Sequence, residues 1–563
     1  MQIYDEKIFE NPTETICAFN ETEFKSAFDR IQHLSKTSYL LGYIRYEAKD
    51  VFLNKKIKSN LPLLYFEAFK DFKHHTPKIS EDIYIYTNPC ISFDDYKKAI
   101  EKIKDEIANG NTYEVNYTYD FDVFTDADEK ALYEYLLKHQ KTPYNTLITN
   151  KYETVLSFSP ELFFSLEKNK ILTKPMKGTI KRGKTEDEDN NLIEFLKNDI
   201  KNRAENVMIV DLLRNDLSKI AKTGSVKVPK LFEIETHKTL HQMTSEITAE
   251  IESNTTLYDI FQAIFPCGSI TGAPKRSTMG IIEKTEKGKR GIYCGAIGFL
   301  SPQKSVFSVP IRILQKPYTQ KAYKYRVGGA IVWDSSVEEE WEETITKMSF
   351  LNIGQNSFQL IETLKAKDKE FLYADEHFKR MEESAKIFGF KFPKELKQIK
   401  PAKDGIVRIL LSKNGHFDLQ YRDLKESKSD RVCIAKENTN SKNAFLYHKT
   451  THRPLYEKSF EKIKAGEIYD EIFFNEKGEL TEGARTNIVL QIDGKLFTPP
   501  QKCGLLNGIL RQELLSQNHE KKITEKILYK TDLKKAQKIF CINSVRGIQE
   551  VVLEESDKLA VSK

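Results

Sequence analysis

The sequence predicts two or three cores of mixed helix and strand, and three observations carry that expectation. Its 563 residues exceed what one hydrophobic core usually organises. Hydrophobic residues make up 39% and charged residues 30%, a balance that suits a globular protein rather than a disordered or membrane-embedded one. Apolar runs that end in Pro or Gly alternate with helix-spaced apolar positions. That succession resets across Asn352–Asn356, where a few polar residues and one Gly separate two such series.

Charge and cysteine usage narrow the function classes. The 88 basic and 82 acidic residues leave a net +6 and are interspersed, so neither a nucleic-acid nor a membrane footprint is expected. No window approaches a membrane-spanning length, and Met1–Glu6 lacks a basic region followed by an apolar one, so a cytoplasmic location is expected. The seven Cys, at 17, 90, 267, 294, 433, 503 and 541, are scattered and odd in number. They fit reduced thiols rather than a disulfide framework or a zinc site.

Along the first ninety residues a helix is expected from Thr22 to Ile31 and a strand at Tyr39–Ile44, without legible chemistry. Tyr96, Ile100, Ile103 and Ile107 have helical spacing over Asp94–Asn109, and Gly110 supplies the stop. Glu114 follows, at a strand entrance. The apolar run Leu156–Leu166 is broken by Pro160, and Ile171–Thr173 leads to Pro175 and Gly178. Two adjacent strands would bring Glu161 and Lys177 to one cleft. A desolvated Lys can lose its proton and act as a nucleophile, and a desolvated Glu can stay protonated and act as an acid. One long helix is expected over Leu192–Leu213, entered through the acidic run at 186–189. Glu205 inside it needs a salt bridge to Arg203 or Arg214, or a metal.

Gly268 and Gly272 flank hydroxylic residues that include Thr271, and they open a helix, which suits a backbone cradle for a carboxylate. Tyr293 and Arg312 are expected on successive strands, where an Arg among apolar residues needs an anionic partner. Gly328 belongs to a stretch of close backbone approach. Glu340, Glu343 and Lys347 share one helical face. Two carboxylates there fit a cation between them, or else an acidic helix start favoured by the macrodipole.

Several strings together resemble the chorismate-utilising enzymes. They are Ser159-Pro160-Glu161-Leu162-Phe163, Pro175-Met176-Lys177-Gly178-Thr179 and the run Phe265–Lys275. Anthranilate, isochorismate and salicylate synthases of that family normally carry Ala at the position of Lys177. A Lys there resembles the aminodeoxychorismate synthase component I branch and implies attack on the chorismate ring. Glu114 stands where relatives usually have Gln and water-adding relatives have Lys. It argues against isochorismate or salicylate synthesis and leaves its own role open. The resemblance makes Glu205, Glu340 and Glu343 ligands of Mg2+, with Asn202 where relatives often place a second acid. It puts His241, Gly268, Thr271, Gly272, Tyr293, Arg312, Gly328 and Lys347 on the substrate side.

From Phe358 the chain resembles the fold-type IV aminotransferases, including the aminodeoxychorismate lyases. The residues that carry this are Phe358–Leu364, Asp375–Met381, Tyr447–Arg453, Leu480–Asn487, Gly508–Arg511 and Asn543–Gly547. The resemblance implies that Lys449 bonds covalently to pyridoxal 5'-phosphate and that Glu482 holds the pyridine nitrogen, protonated so that the ring can act as an electron sink. Arg380, Thr486, Asn487, Ile509 and Leu510 are the other implied cofactor residues. Relatives often have a hydroxyl at position 510, so backbone donors remain there.

Together the resemblances imply an α+β sandwich of antiparallel sheets with helices over residues 1–352, with its chorismate-binding core at about 95–350. A two-lobed α/β fold-type IV domain follows over 356–563. They imply conversion of chorismate and ammonia to 4-amino-4-deoxychorismate, then to 4-aminobenzoate and pyruvate for folate. Ammonia is expected from a separate glutamine amidotransferase subunit, and a homodimer through the pyridoxal phosphate domain is open. The alternatives are anthranilate synthase large-subunit activity in the first half, or branched-chain or D-amino-acid aminotransferase activity in the second.

Overall fold

The computed structural model describes residues 1–77, 83–236, 240–348, 350–351, 357–516 and 522–554. The expected reset at Asn352–Asn356 lies outside the described residues. The chain forms two compact units, one of residues 1–81, 89–123 and 129–353, the other of residues 82–88, 124–128 and 354–563.

The first unit is built on two large antiparallel sheets. In one, Glu114–Thr125 pairs with Tyr323–Ile331, and the order continues through Ile313–Pro317, Glu153–Ser159 and Tyr144–Thr149 to Gln2–Tyr4. In the other, Met176–Lys181 pairs with Leu240–Glu250, followed by Lys170–Lys174, Leu162–Glu167, Ser305–Ser308, Ala296–Leu300, Tyr39–Ile44 and Leu64–Phe69. Every residue of Glu153–Ser159 is buried, as expected of a strand covered on both faces. Phe164 stacks on Phe307 with centroids 4.8 Å apart, and Phe261 packs edge-on against both Phe163 and Phe164. Each such ring contributes about 1.5–3 kcal/mol by leaving water.

Helix Glu21–Leu34 begins one residue before the expected start because Asn20 accepts from the backbone N–H groups of Thr22 and Glu23. Helix Phe93–Ala108 is capped by Ser92 and buries Tyr96, Ala99, Ile100 and Ile103. The single helix expected over Leu192–Leu213 is instead two, Glu186–Asn198 and Ile200–Ser218. Asp199 is extended, at φ −65° and ψ 118°, and its carboxylate accepts from Asn202 N, so it caps the second helix rather than continuing the first.

Tyr293 and Arg312 are not on strands. Tyr293 lies in the turn before Ala296–Leu300, and Arg312, at φ 55°, lies between Ser305–Ser308 and Ile313–Pro317. Pro310 has no N–H to pair, which ends the first of these strands, and the left-handed Arg312 redirects the chain into the next.

The second unit has two lobes. A four-stranded antiparallel sheet runs Glu370–Phe371, Leu360–Lys367, Gly405–Leu411, Phe417–Arg422. Helix Ala374–Phe388 packs on it through His377, Phe378, Met381, Ala385 and Phe388, and ends at Gly389 in the left-handed region. The larger sheet is mixed, with Arg431–Ile434 parallel to both Asp470–Phe474 and Gly547–Leu553. Its core holds Ile472, Leu480, Ile488, Leu490 and Cys541. Among the described residues no helix is long and apolar enough to cross a membrane.

Candidate functional site

In the first unit, Glu161 occupies the turn that Pro160 makes between strands Glu153–Ser159 and Leu162–Glu167. Its backbone is fixed by Ser159, whose hydroxyl donates to Val309 O at 2.5 Å and accepts from Glu161 N at 3.2 Å. Ser269 Oγ donates to Glu161 Oε1 at 2.6 Å. The side chain is buried, and burial pushes its carboxyl up to about 7, against the pull of Ser269 and Lys177. Glu161 can therefore keep its proton near neutrality.

Lys177 lies on strand Met176–Lys181, its Nζ 3.0 Å from Glu114 Oε1 and 3.9 Å from Glu205 Oε2. Burial favours the neutral amine, but the Glu114 and Glu205 carboxylates outweigh it and hold the pKa above that of a free lysine. The next residue must be Gly. Gly178 has φ 79°, and a Cβ there would meet Asn202 Oδ1 at 2.8 Å, so glycine lets the strand bend against helix Ile200–Ser218. Gly272 plays the same part beside Glu114, because a Cβ would come within 2.0 Å of the Glu114 carbonyl oxygen.

The remaining expected substrate residues divide by what they touch. Arg312 is half-buried, desolvation lowers its pKa, and among the described residues no carboxylate pairs with it, which suits an anionic ligand. Tyr293 is buried, with its hydroxyl pushed to higher pKa by burial. Thr271 is buried and donates to the Cys267 and Gly268 carbonyls, so its hydroxyl proton is already used in shaping the loop. A Cβ on Gly268 would meet the Leu212 side chain of the Glu205 helix at 2.2 Å, so the loop packs closely on that helix. Lys347 donates to Gly328 O at 2.9 Å and pairs with Glu343 at 2.7 Å.

His241 is buried and held within the protein. Its Nε2 faces Asp189 Oδ1 at 2.8 Å and its Nδ1 faces Thr236 Oγ1 at 2.9 Å, so both ring nitrogens are committed within the protein.

Glu205, Glu340 and Glu343 are hard oxygen donors of the kind Mg2+ takes. Burial raises Glu205 and Glu340, and the Glu343 charge raises both further, the repulsion that a cation relieves. Among the described residues, however, no three His, Cys, Asp or Glu side chains stand close enough to hold one ion. Glu340 Oε1 instead accepts from Ser335 Oγ at 2.7 Å. The donor chemistry fits Mg2+; the chelating geometry is not preassembled.

In the second unit the backbone carbonyl of Lys449 accepts from Ile361 N at 2.8 Å. Its amine pKa falls to about 8, chiefly by burial; Glu362 opposes the shift and Arg380, Arg453 and Arg408 add to it. Glu482 is pushed up to about 7 by burial. Tyr456 OH and Leu506 N each donate to it at 3.0 Å, one to each carboxylate oxygen. Arg380 spends Nε and Nη2 on Glu362, at 2.8 and 2.7 Å, and Nη1 on Asn507 O at 3.0 Å. Thr486 Oγ1 donates to Asp470 at 2.6 Å, and Asn487 Nδ2 to Leu506 O at 2.9 Å. Gly508, before helix Ile509–Leu515, lies so close to Asn487 that a Cβ would meet its Oδ1 at 2.1 Å. The Leu510 side chain belongs to a core with Val489, Leu514 and Ile542, which leaves only its backbone to face a ligand. A half-buried amine of lowered pKa, a buried carboxylate and a buttressed arginine fit pyridoxal phosphate.

Sequence reasoning missed Glu362, the buried anchor of Arg380 and His377. It also missed Arg408, whose charge acts on Lys449, and Arg422, which with Arg453 crowds Arg408. The signal for the arginines was their spacing on paired strands Gly405–Leu411 and Phe417–Arg422, which only the register reveals. Ser269, the donor to Glu161, lies within Phe265–Lys275, where sequence alone does not set it apart from its neighbours.

Residues 85–352 match the family described as chorismate binding enzyme, and residues 359–553 match amino-transferase class IV. Aminodeoxychorismate synthase component 1 of Salmonella typhimurium is 38% identical over 45% of this chain and 56% of its own length. Anthranilate synthase component 1 of Aquifex aeolicus is 36% identical over 46% of this chain and 52% of its own length. The chain thus spans about half the length of these curated relatives. Anthranilate synthase component I from Streptococcus pneumoniae TIGR4 superposes with a TM-score of 0.54 at 21% identity, over 62% of this chain and 92% of that one, a likeness of fold. The chain therefore joins a chorismate binding enzyme domain to a class IV amino-transferase domain.

Proposed function

We propose that the chain makes 4-aminobenzoate in two steps. The first unit would aminate chorismate to 4-amino-4-deoxychorismate, and the second would eliminate pyruvate from that product. The observation that carries the reading is Lys177, a lysine amine held inside the pocket within electrostatic reach of a Glu161 that keeps its proton near neutrality. Lys177 would bond to ring carbon C2 as Glu161 protonates the departing C4 hydroxyl, and ammonia would then enter at C4 and displace the lysine. Arg312 and the loop from Gly268 to Gly272 would hold carboxylates of the substrate. Mg2+ held by Glu205, Glu340 and Glu343 would neutralise a substrate carboxylate.

In the second unit Lys449 would carry pyridoxal phosphate, Glu482 would face its pyridine nitrogen and Arg380 its phosphate. The cofactor supplies an electron sink for breaking the C4–H bond of the ring. An amine with a pKa of about 8 can then take that proton, and loss of the enolpyruvyl group leaves an aromatic ring. The half-buried Arg408, with Arg422 and Arg453, gives this site a positive field suited to a dianionic substrate. An aminotransferase reading of this unit predicts consumption of 2-oxoglutarate, which the lyase reading does not.

Ammonia would come from a separate glutamine amidotransferase subunit, and a homodimer through the second unit stays part of the proposal. Anthranilate synthesis is the second reading for the first unit, favoured by the Aquifex aeolicus relative. The test is to incubate the purified chain with chorismate, ammonium and Mg2+. Formation of 4-aminobenzoate and pyruvate is expected; fluorescent anthranilate instead would overturn the assignment of the first step.

A further inference from the structure

We propose that Glu114 forms the binding site for the ammonium ion that amination consumes; the inference rests on the reading of the first unit just given. Glu114 is fully buried. Its Oε1 accepts from Lys177 Nζ at 3.0 Å, while Oε2 is buried without a hydrogen-bond partner. The backbone that carries the side chain is fixed in place. Its carbonyl oxygen accepts from Thr112 Oγ1 at 3.0 Å, and Gly272 is packed so tightly on that carbonyl that only a glycine fits.

A buried carboxylate oxygen without a donor is a costly arrangement that a donor-bearing ligand relieves. The geometry points to a small donor. Lys177 lies 3.0 Å from Glu114 and 3.9 Å from Glu205, and it donates to Glu114 Oε1 alone, so with Glu205 given to Mg2+ the acceptor capacity of Oε2 is still unmet. Ammonium is small enough for a buried pocket, carries one positive charge and presents only N–H donors, the complement of a lone carboxylate oxygen. A neutral amide in place of Glu114 would serve Lys177 but would offer no charge to ammonium. Bound there, ammonium is held beside the lysine that its nitrogen is to displace, as the store of the nucleophile that the second bond-forming step requires.

The test compares the full-length wild type with Glu114→Gln in steady-state amination, varying ammonium chloride at saturating chorismate and then the reverse. The expected result is a rise in KM for ammonium of about tenfold or more, with KM for chorismate within about twofold. Equal KM values for ammonium in the two proteins overturn the proposal. Elimination of pyruvate from supplied aminodeoxychorismate reports that the second unit is folded, and an unchanged circular dichroism spectrum with an unchanged KM for chorismate reports the same of the first. If the variant aminates too slowly to measure, thermal midpoints decide. The wild type should gain stability in ammonium chloride over equal sodium chloride and the variant should not; no ammonium-specific gain in the wild type overturns the site. A wild type that forms no aminodeoxychorismate at all sinks the functional reading itself, a different outcome from a wild type that aminates while Glu114→Gln keeps its ammonium KM.

Discussion

Lys177 and Lys449 are both half-buried, yet their surroundings tune them in opposite directions. Two carboxylates hold Lys177 above the ordinary lysine value, and burial among arginines brings Lys449 down to about 8. Lys177 thus rests charged and must shed a proton before it attacks, whereas Lys449 is partly neutral near pH 7. Lys177→Ala should abolish formation of aminodeoxychorismate or divert it to anthranilate, and leave pyruvate release from supplied aminodeoxychorismate intact; product chromatography with fluorescence detection checks both. Glu161 has a folded-state value of about 7, raised from the ordinary 4.5, so its acid form predominates below pH 7 and is lost as pH rises through that value. The amination rate should therefore fall on the alkaline side with a midpoint near 7. Glu161→Gln should lose that limb and about 10²–10⁴ in kcat, measured as a pH–rate profile. A limb that persists in the variant would assign it to another group.

At the scale of elements, the segment that matters is the break at Asp199. Had residues 192–213 formed one helix, the segment carrying Glu205 would continue the direction of Glu186–Asn198. With Asp199 as a cap, Ile200–Ser218 starts afresh and brings Asn202 against Gly178 and Glu205 to Lys177. Asp199→Ala should cost about 0.5–2 kcal/mol in stability, read as a lowered Tm. It should also raise the Mg2+ concentration needed for half-maximal chorismate consumption, because the start of the Glu205 helix is loosened. An unchanged Mg2+ requirement would show that the cap does not position Glu205. The helix expected at Glu340–Lys347 is present as Val337–Lys347, since a Ser cap and i, i+4 charge pairing are local signals. The turns at Tyr293 and Arg312 were not legible, because an apolar flank reads as strand whether or not its residues find a ladder partner.

At the scale of the whole molecule, the two proposed chemistries should fail independently. EDTA should stop chorismate consumption and spare pyruvate release from supplied aminodeoxychorismate; loss of both together would refute a metal requirement confined to one unit. Lys449→Ala should accumulate aminodeoxychorismate from chorismate and lose the borohydride-fixable link to the cofactor, read by mass spectrometry of the reduced protein. By itself the sequence determined the succession of two mixed cores, the strands meeting at Pro160 and the motifs around Lys177 and Lys449. These depend on periodicity, turn residues and residue chemistry, which neighbours along the chain express. Tertiary structure alone decided that Glu114 touches Lys177, that Ser269 holds Glu161, that Asp189 and Thr236 occupy both nitrogens of His241, and that Arg408 and Arg453 press on Lys449. The partners in each case lie far apart in sequence or are fixed by strand register. The resulting charge states come from desolvation and electrostatics between groups that only folding brings together.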